Sequence, residues 1–247
     1  MTNKYQLGAL RKECAKDNIE LVFVDAPHIL QPVDLVGTSS ASFGAPEAAN
    51  AEADPALTPR AWWKVNRDKT MAYGLQESIE SIRDVLQTRK FDGVFGFSQG
   101  AAFAAIISAL LEKPDVVPSF LVDGEPPHAP FEFCVAVSGF RLRDAFVNPL
   151  FDDSYSTPTL HVIGKTDIIV VEERSRQLVD ASRNKRIEEH DGGHFVPSKG
   201  NWRKFLRDYM KFPLVDHISP GLAANSSVPN SGTATPTGNE PIMMMKL

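Results

Sequence analysis

Apolar positions along the chain alternate between short continuous runs and longer stretches in which they recur every three or four residues. The continuous runs predict buried strands at residues 19–25, 94–97, 132–139, 159–164 and, more briefly, 185–190. Helical spacing predicts helices at residues 5–16, 71–89, 171–182 and 201–210. A further helix is predicted to follow the strand at 94–97 and to end near residue 112. Strands that are apolar throughout are typical of parallel sheets. Their alternation with helices predicts an α/β fold, with helices on both faces of the sheet.

Three stretches lack this periodicity. Residues 37–57 are small, polar and interrupted by proline, which predicts a flexible surface insertion. Residues 113–131 contain five prolines, so we expect no regular element there and consider this loop a lid at the edge of an active site. From residue 213 to 247 the chain is rich in Ser, Thr, Pro, Asn and Gly, which predicts a disordered tail. Residues 1–212 are expected to form one domain.

Composition narrows the classes of function. With 247 residues and 43% apolar content, the chain is long enough for one domain with a sizeable core. The net charge of -5 comes without a clustered basic face, which argues against nucleic acid or an anionic membrane as a partner. Cys14 and Cys134 are far apart, so no disulfide framework is expected. Without an apolar leader or a run of transmembrane length, we expect a cytoplasmic or nuclear protein that has no integral membrane segment.

The strand at 94–97 turns abruptly into an Ala-rich helix through the letters GFSQG, the nucleophile-elbow pattern G-x-S-x-G. Its two glycines suit a tight strand-to-helix reversal in which Cβ atoms would meet neighbouring backbone. Ser98 stands at the tip of this turn. The unpaired backbone N–H groups at the start of the helix, Gln99 first among them, are placed to receive a developing oxyanion. The alternative is that Ser98 merely caps the helix.

A serine nucleophile needs a base, and the base needs a carboxylate that orients it. The expected chain order on such a sheet is serine, acid, histidine. Asp167 follows the strand at 159–164, at the edge where such sheets build their sites, although an Asp there is equally suited to a turn or a helix cap. His194 follows a pair of glycines in the loop after the last strand. We prefer it as the base over His190, which stands before those glycines.

A metal site is the competing interpretation of His190, Asp191 and His194. A His-x-x-x-His pair has its usual metal-binding geometry on a helix, and the two glycines between these histidines break helices. We therefore expect neither a metal nor another cofactor. The remaining histidines are expected to be solvated or structurally hydrogen-bonded: His28, His128, His161 and His217.

Large aromatic side chains stand close to the predicted site in sequence. Trp62 and Trp63 either anchor their loop to the core or line a substrate pocket over the elbow, and we favour the pocket. Phe97, the residue before Ser98, is assigned to the same pocket.

Several motifs together resemble the FSH-type serine hydrolases, a family with the α/β-hydrolase fold. These motifs are GFSQGAA at 96–102, DAP at 25–27, VSGF at 137–140, GKTD ending at Asp167 and HDGGHFVP at 190–197. The resemblance runs from about Leu7 to Met210. It implies a Ser98, Asp167, His194 triad that acts on small-molecule carboxylic esters or thioesters, often with an acyl chain, and needs no cofactor.

The resemblance also exposes a departure near the first residues. Family members begin with an apolar strand whose following loop supplies the second oxyanion donor, whereas this sequence begins inside the next helix. We therefore expect the sheet to lack a central strand. The strand at 19–25 and the elbow strand would then face each other across a gap or pair directly, and Gln99 would be the only backbone donor near Ser98. Three hypotheses remain: an active hydrolase, a weak or inactive homologue that binds acyl ligands or a protein partner, and an incomplete gene model of an active enzyme.

Overall fold

A six-stranded parallel sheet forms the centre of the molecule. The structure is a computed structural model that describes residues 7–30, 59–66, 71–221 and 243–246. Its strands are β1 (Glu20–Phe23), β2 (His28–Ile29), β3 (Arg60–Ala61), β4 (Lys64–Val65), β5 (Ala72–Tyr73), β6 (Gly93–Phe97), β7 (Phe133–Val137), β8 (Thr159–Gly164), β9 (Lys185–His190) and β10 (Met243–Lys246). The spatial order in the large sheet is β1-β10-β6-β7-β8-β9, while β2 pairs with β3 and β4 with β5.

Helices cover both faces of this sheet. They are α1 (Gly8–Ala15), α2 (Leu75–Thr88), α3 (Gln99–Glu112), α4 (Glu172–Asp180) and α5 (Gly200–Lys211). The apolar side chains of α2, α3 and α4 belong to the core on one face, and those of α1 and α5 to the core on the other. Short 3-10 turns are found at Pro114–Val116, Pro118–Phe120 and Asn148–Phe151.

The two faces of β7 show why the layers pack as they do. Successive side chains of a strand point to opposite faces. Phe133, Val135 and Val137 therefore enter the core under α1 and α5, while the small residues Cys134 and Ala136 face α3. Because α3 is itself rich in alanine and buried along most of its length, it lies close against the sheet. This close packing fixes the start of α3, where the candidate nucleophile is placed.

The predicted strands and helices are confirmed. The bounds of β8 and β9 agree with the prediction at both ends, and α3 ends at Glu112 as expected. β1 is shorter than the apolar run at 19–25, because the chain leaves the sheet after Phe23, shortly before Pro27. Continuous apolar runs bounded by Gly or Pro were sufficient to locate the elements that build the sheet.

The centre of the sheet differs from both expected arrangements. β10 lies between β1 and β6 and runs parallel to both, with Met244 opposite Leu21 on one side and Gly93 on the other. The prediction of a disordered segment over all of 213–247 is therefore wrong at residues 243–246. The physical reason is that two neighbouring strand edges each present unpaired backbone N–H and C=O groups, and one inserted strand pairs with both edges.

The segment after α5 is a second correction to the predicted tail. Residues 213–221 lie against the domain, where the hydroxyl of Ser219 donates to Glu188 Oε2 at 2.6 Å. The Asn201 side chain donates to the carbonyl oxygen of Pro220 at 2.7 Å. These contacts hold a segment whose composition alone gives it too little apolar surface to order.

The proline-rich loop 113–131 lies at the end of the sheet opposite to Ser98. This loop follows α3, which runs back from Ser98 along the sheet. Near the end of the loop, His128 Nε2 accepts a hydrogen bond of 2.8 Å from the amide of Phe91, which lies just before the start of β6. The prediction of a lid over the active site is therefore wrong, because the loop contacts the amino ends of the strands. Its buried Phe120 closes the core at that end.

The predicted flexible insertion at 37–57 lies outside the described residues. Within the part of the chain that the structure describes, no helix is both long and apolar enough to cross a membrane.

Candidate active site

Ser98 lies on the tight turn between β6 and α3. Its backbone has φ of 55° and ψ of -121°, a conformation that costs a non-glycine residue about 1–3 kcal/mol. The turn presses strand against helix so closely that a Cβ atom at Gly96 would lie 2.2 Å from the carbonyl oxygen of Gly100. The Ser98 amide donates to the Val137 carbonyl oxygen at 2.9 Å, which ties the turn to β7. The surrounding structure thus holds Ser98 in a strained, outward position.

The side chains of Ser98, His194 and Asp167 form one continuous hydrogen-bonded line. Nε2 of His194 lies 2.9 Å from Oγ of Ser98, and Nδ1 of His194 lies 2.8 Å from Oδ2 of Asp167. The exposed fraction of the side chain is 7% for His194 and 1% for Asp167. Because a carboxylate accepts the proton on Nδ1, Nε2 is left as the acceptor that faces the serine hydroxyl. The structure therefore brings together all three residues that the sequence pattern singled out.

Asp167 is held by the turn that follows β8. Its Oδ1 accepts hydrogen bonds from the amides of Ile169 and Val170, each at 2.9 Å, while Oδ2 faces His194. Burial acts to raise the pKa of this carboxyl. The hydrogen bonds from His194 and the two amides outweigh burial and hold the pKa of Asp167 below its ordinary value. Asp167 is thus an ionised, oriented carboxylate rather than only a turn residue.

Direct backbone contacts join the loops after β8 and β9. The Thr166 amide donates to the Gly192 carbonyl oxygen at 3.1 Å. A Cβ atom at Gly164 would lie 2.5 Å from the carbonyl oxygen of Gly193, so the backbones approach more closely than a side chain allows. This contact explains why glycines precede His194, which the loop then presents toward Asp167.

His190, the competing candidate for the base, faces aromatic side chains. Its ring lies 4.9 Å from that of Phe195 and 5.9 Å from that of Trp202, measured between centroids. Burial lowers the pKa of His190 below its ordinary value, so the neutral ring is favoured. The hydrogen bond to Ser98 is made by His194.

A model of the serine hydrolase family FSH1 matches residues 2–206 of this chain. The chain belongs to this family. Among similar proteins, esterase OVCA2 of zebrafish (Danio rerio) is 32% identical over 215 residues, which cover 83% of this chain and 88% of that protein. Esterase CG5412 of Drosophila melanogaster is 30% identical over 242 residues, which cover 93% of this chain and 76% of that protein.

Solved structures similar to this member of the FSH1 family include acyl-protein thioesterase 2 of Zea mays. It has a TM-score of 0.46 and 20% identity, and the match covers 62% of this chain and 72% of that one. SOBER1 of Arabidopsis thaliana has a TM-score of 0.44 and 14% identity, with 80% and 98% covered. Family membership, the parallel sheet and the helices on both faces give this chain the α/β-hydrolase fold.

The side chain of Gln99 connects the elbow to the two tryptophans. The Trp62 amide donates to Gln99 Oε1 at 2.8 Å, and Gln99 Nε2 donates to the Trp63 carbonyl oxygen at 2.9 Å. The Trp62 ring stacks on Phe103 with centroids 4.4 Å apart, and both tryptophans are buried. Their placement matches the interpretation that Trp62 and Trp63 anchor their loop to the core. The alternative, that they line a substrate pocket, stays a prediction. The sequence pattern does not indicate the Gln99 bonds, since Gln99 is an unspecified position of G-x-S-x-G.

The backbone N–H of Gln99 is the first of α3, one of the amides that a helix leaves without an intrahelical acceptor. Phe97, on the other side of Ser98, is buried and its ring centroid lies 4.7 Å from that of His194. Phe97 therefore packs against the His194 ring, and its place in a substrate pocket stays a prediction.

The other histidines have structural hydrogen bonds, as expected. Nε2 of His161 lies 2.8 Å from Ser182 Oγ, and Nε2 of His28 lies 2.6 Å from the Gly74 carbonyl oxygen. Both cysteines are free and buried, and burial raises the pKa of each thiol to about 12. Among the described residues no group of three or more His, Cys, Asp or Glu side chains is placed to hold a metal ion.

Proposed function

We propose that this protein hydrolyses carboxylic esters or thioesters through an acyl-enzyme formed on Ser98. The observation that carries this proposal is the hydrogen-bonded line from Ser98 through His194 to Asp167, with distances of 2.9 and 2.8 Å. A serine hydroxyl is a weak nucleophile near neutral pH, and a base in direct hydrogen-bond contact removes that limitation. Membership of a serine hydrolase family supports the same reaction class.

In the first half-reaction, Oγ of Ser98 attacks the acyl carbonyl carbon while Nε2 of His194 takes the hydroxyl proton. The carbonyl electron pair moves onto oxygen, and the Gln99 backbone N–H donates a hydrogen bond to that oxyanion. When the carbonyl reforms, the bond to the alcohol or thiol breaks, and His194 returns the proton to the leaving group. The acyl group is then esterified to Ser98.

In the second half-reaction, a water molecule replaces the alcohol or thiol and follows the same proton path in reverse. His194 takes a proton from water, hydroxide adds to the acyl carbon, and collapse releases the carboxylic acid and restores Ser98. Asp167 stays ionised throughout, and its charge stabilises the imidazolium of His194 in each step. The lowered pKa of Asp167 supports this role near neutral pH.

The proposal is tested by active-site titration with p-nitrophenyl butyrate and by labelling with a fluorophosphonate probe. We expect a burst of up to one p-nitrophenol per chain, and a probe adduct that mass spectrometry maps to Ser98. Ser98→Ala should lose both signals, while Ser198→Ala, a change at an exposed serine, should keep them. An adduct on another serine, or undiminished labelling of Ser98→Ala, would reject the assignment.

A second candidate function is an acyl-binding homologue with little turnover. It is favoured by β10, which takes the central position between β1 and β6, where the family resemblance places the strand that leads to a second oxyanion donor. Losing one such donor typically costs about 10² to 10³ in kcat. The same titration separates the two candidates. The homologue would show slow acylation and almost no steady-state release of product, whereas the hydrolase would turn over continuously.

A further inference from the structure

Arg174 is a half-buried arginine that stacks on an aromatic ring. Its Cζ atom lies 4.4 Å from the ring centroid of Phe140, within the range of a cation–π contact. Burial lowers the pKa of its guanidinium, and no acidic group acts on it in the opposite direction. Within the described ranges, Arg174 has no carboxylate partner at ion-pair distance. A cation that has lost part of its hydration without gaining a counterion has unused capacity to bind an anion.

A second arginine on the same helix provides the contrast. Arg176 is exposed and pairs with Glu172 at 2.7 Å and with Glu189 at 3.0 Å. These partners raise the pKa of Arg176, the reverse of the shift at Arg174. Glu172 on α4 and Glu189 on β9 thus pair with Arg176, and within the described residues neither acid pairs with Arg174.

Packing of the loop after β7 places Arg174 on the side of the sheet that carries Ser98. A Cβ atom at Gly139 would lie 3.1 Å from Cβ of Ala101, three residues after Ser98, and 2.9 Å from Cδ2 of Leu178. Arg174 is one helical turn before Leu178, so both lie on the same face of α4, with Arg174 nearer the turn that holds Asp167.

The Phe140 ring beneath Arg174 also contacts Trp63, which is hydrogen-bonded to Gln99. Phe140 meets the ring of Trp63 edge-on, with centroids 6.3 Å apart, and the Trp63 carbonyl oxygen accepts the hydrogen bond from Gln99 Nε2. Arg174, Phe140 and Trp63 therefore form a continuous layer that reaches the residue next to Ser98. A planar guanidinium fixed on a ring keeps its N–H groups in a defined plane, which suits bidentate binding of an oxyanion.

We propose that Arg174 binds an anionic group of the substrate, a carboxylate or a phosphate, beside the candidate active site. This inference rests on the proposed hydrolase function and adds a substrate class to it. A carboxylate would belong to the acyl chain, as in a half-ester of a dicarboxylic acid. A phosphate would belong to the thiol that leaves, as in a nucleotide-linked thioester.

Two pairs of substrates distinguish these sources. The acyl pair is the p-nitrophenyl monoester of adipic acid and its neutral methyl ester. The leaving-group pair is butyryl-coenzyme A and butyryl-N-acetylcysteamine. For each pair the measured quantity is the ratio of kcat/KM for the charged substrate to kcat/KM for the neutral one, in wild type, Arg174→Met, Arg174→Lys and the control Arg176→Met.

We expect Arg174→Met to lower this ratio about 10- to 100-fold in one pair, because a hydrogen-bonded charge contact of this kind is lost. Arg174→Lys should restore part of the ratio, since it keeps the charge without the planar fork. Arg176→Met should change the ratio less than about twofold, as expected for an exposed ion pair. The pair that responds identifies the anion as acyl carboxylate or leaving-group phosphate.

Ratios that Arg174→Met leaves unchanged in both pairs would overturn the inference while leaving the hydrolase function in place. If wild type hydrolyses none of the four substrates and does not take the fluorophosphonate probe, the proposed function itself fails. Should Arg174→Met not fold, Arg174→Lys decides the question: a ratio at least about threefold below wild type supports bidentate binding, and an equal ratio refutes it.

Discussion

Oε1 of Gln99 lies 2.8 Å from the backbone nitrogen of Trp62, so the side chain next to Ser98 fixes a loop that ends 36 residues earlier in the sequence. Nε2 of the same Gln99 side chain donates a hydrogen bond to the carbonyl oxygen of Trp63. Gln99 thus has two separable parts: its backbone N–H is the proposed oxyanion donor, and its side chain holds the tryptophan loop against the elbow.

Replacing this side chain should destabilise the protein. Gln99→Ala leaves the Trp62 amide and the Trp63 carbonyl without their partners in a buried environment, for which we expect a loss of about 2 kcal/mol or more in the free energy of unfolding. Urea denaturation measures this loss. Gln76→Ala is the matched control, because Gln76 is exposed on α2 and bonds only to Glu80 in the described structure. Equal losses from the two substitutions would contradict the role given to Gln99.

The two neighbouring histidines should respond differently to substitution. His194→Ala removes the group that contacts Ser98, and we expect esterase turnover to fall by about 10⁴ or more. His190→Ala should keep most of the rate per folded molecule, and its cost should appear in the melting temperature because the ring is buried beside Phe195 and Trp202. Rate measurements on fractions of verified native content separate the two effects. A comparable loss of rate in both variants would exclude His194 as the sole base.

Stability should fall with acid because of His161. Burial lowers the pKa of His161 to about 3, against an ordinary value of 6.5. Below pH 6.5 the unfolded chain takes up a proton that the folded chain does not, so lowering the pH favours unfolding until the folded pKa is reached. Between pH 6.5 and 4.5 this difference is worth about 2 kcal/mol.

The contribution of His161 is isolated by substitution. His161→Gln should flatten the dependence of unfolding free energy on pH in this range, although His190, whose pKa is also lowered by burial, acts in the same direction. His217→Gln is the control, since that residue is partly exposed and, among the described residues, its ring hydrogen bond is to the Phe212 carbonyl oxygen. An unchanged slope in His161→Gln would show that the buried imidazole is not the acid-sensitive group.

Blocking β10 should weaken the sheet. Met244→Pro removes an amide donor from a strand that pairs on both sides and bends the backbone there, so we expect a loss of about 3 kcal/mol, or roughly 6–12 °C in melting temperature. Thr237→Pro, outside the described residues, serves as the control for an added proline. If both variants melt at the temperature of wild type, β10 does not stabilise the sheet.

Local pattern predicted most of the site, because Ser98, Asp167 and His194 each follow a strand at the same edge and glycines mark the turns. The expected order of serine, acid and histidine then assigned their roles. Nonlocal pairing was not predictable in the same way. The four residues of β10 show no alternation, and nothing in their composition indicates pairing with β1 and β6, which lie far earlier in the chain.

The proline-rich loop 113–131 shows a different limit of prediction from sequence: composition does not say where in the fold a loop lies. Its composition predicts no regular element, and the structure has two short 3-10 turns there, at Pro114–Val116 and Pro118–Phe120. The position of the loop depends on the direction in which α3 leaves the elbow. A helix that follows a parallel strand returns along the sheet, so the next loop lies at the far end. Tracing each connection from edge to edge would have placed this loop away from Ser98.

The position of β10 also sets the order in which the molecule is completed during synthesis. β6 ends at Phe97 and β10 at Lys246, so about 150 residues separate two strands that are neighbours in the sheet. At about 5–20 residues per second, a ribosome needs roughly 7–30 s to make this interval. Throughout that time, the edges of β1 and β6 that pair with β10 in the finished sheet have no β10 to pair with. A nascent chain of this protein therefore exposes a strand-sized opening that chaperones, or the edge strands of other nascent chains, have time to occupy.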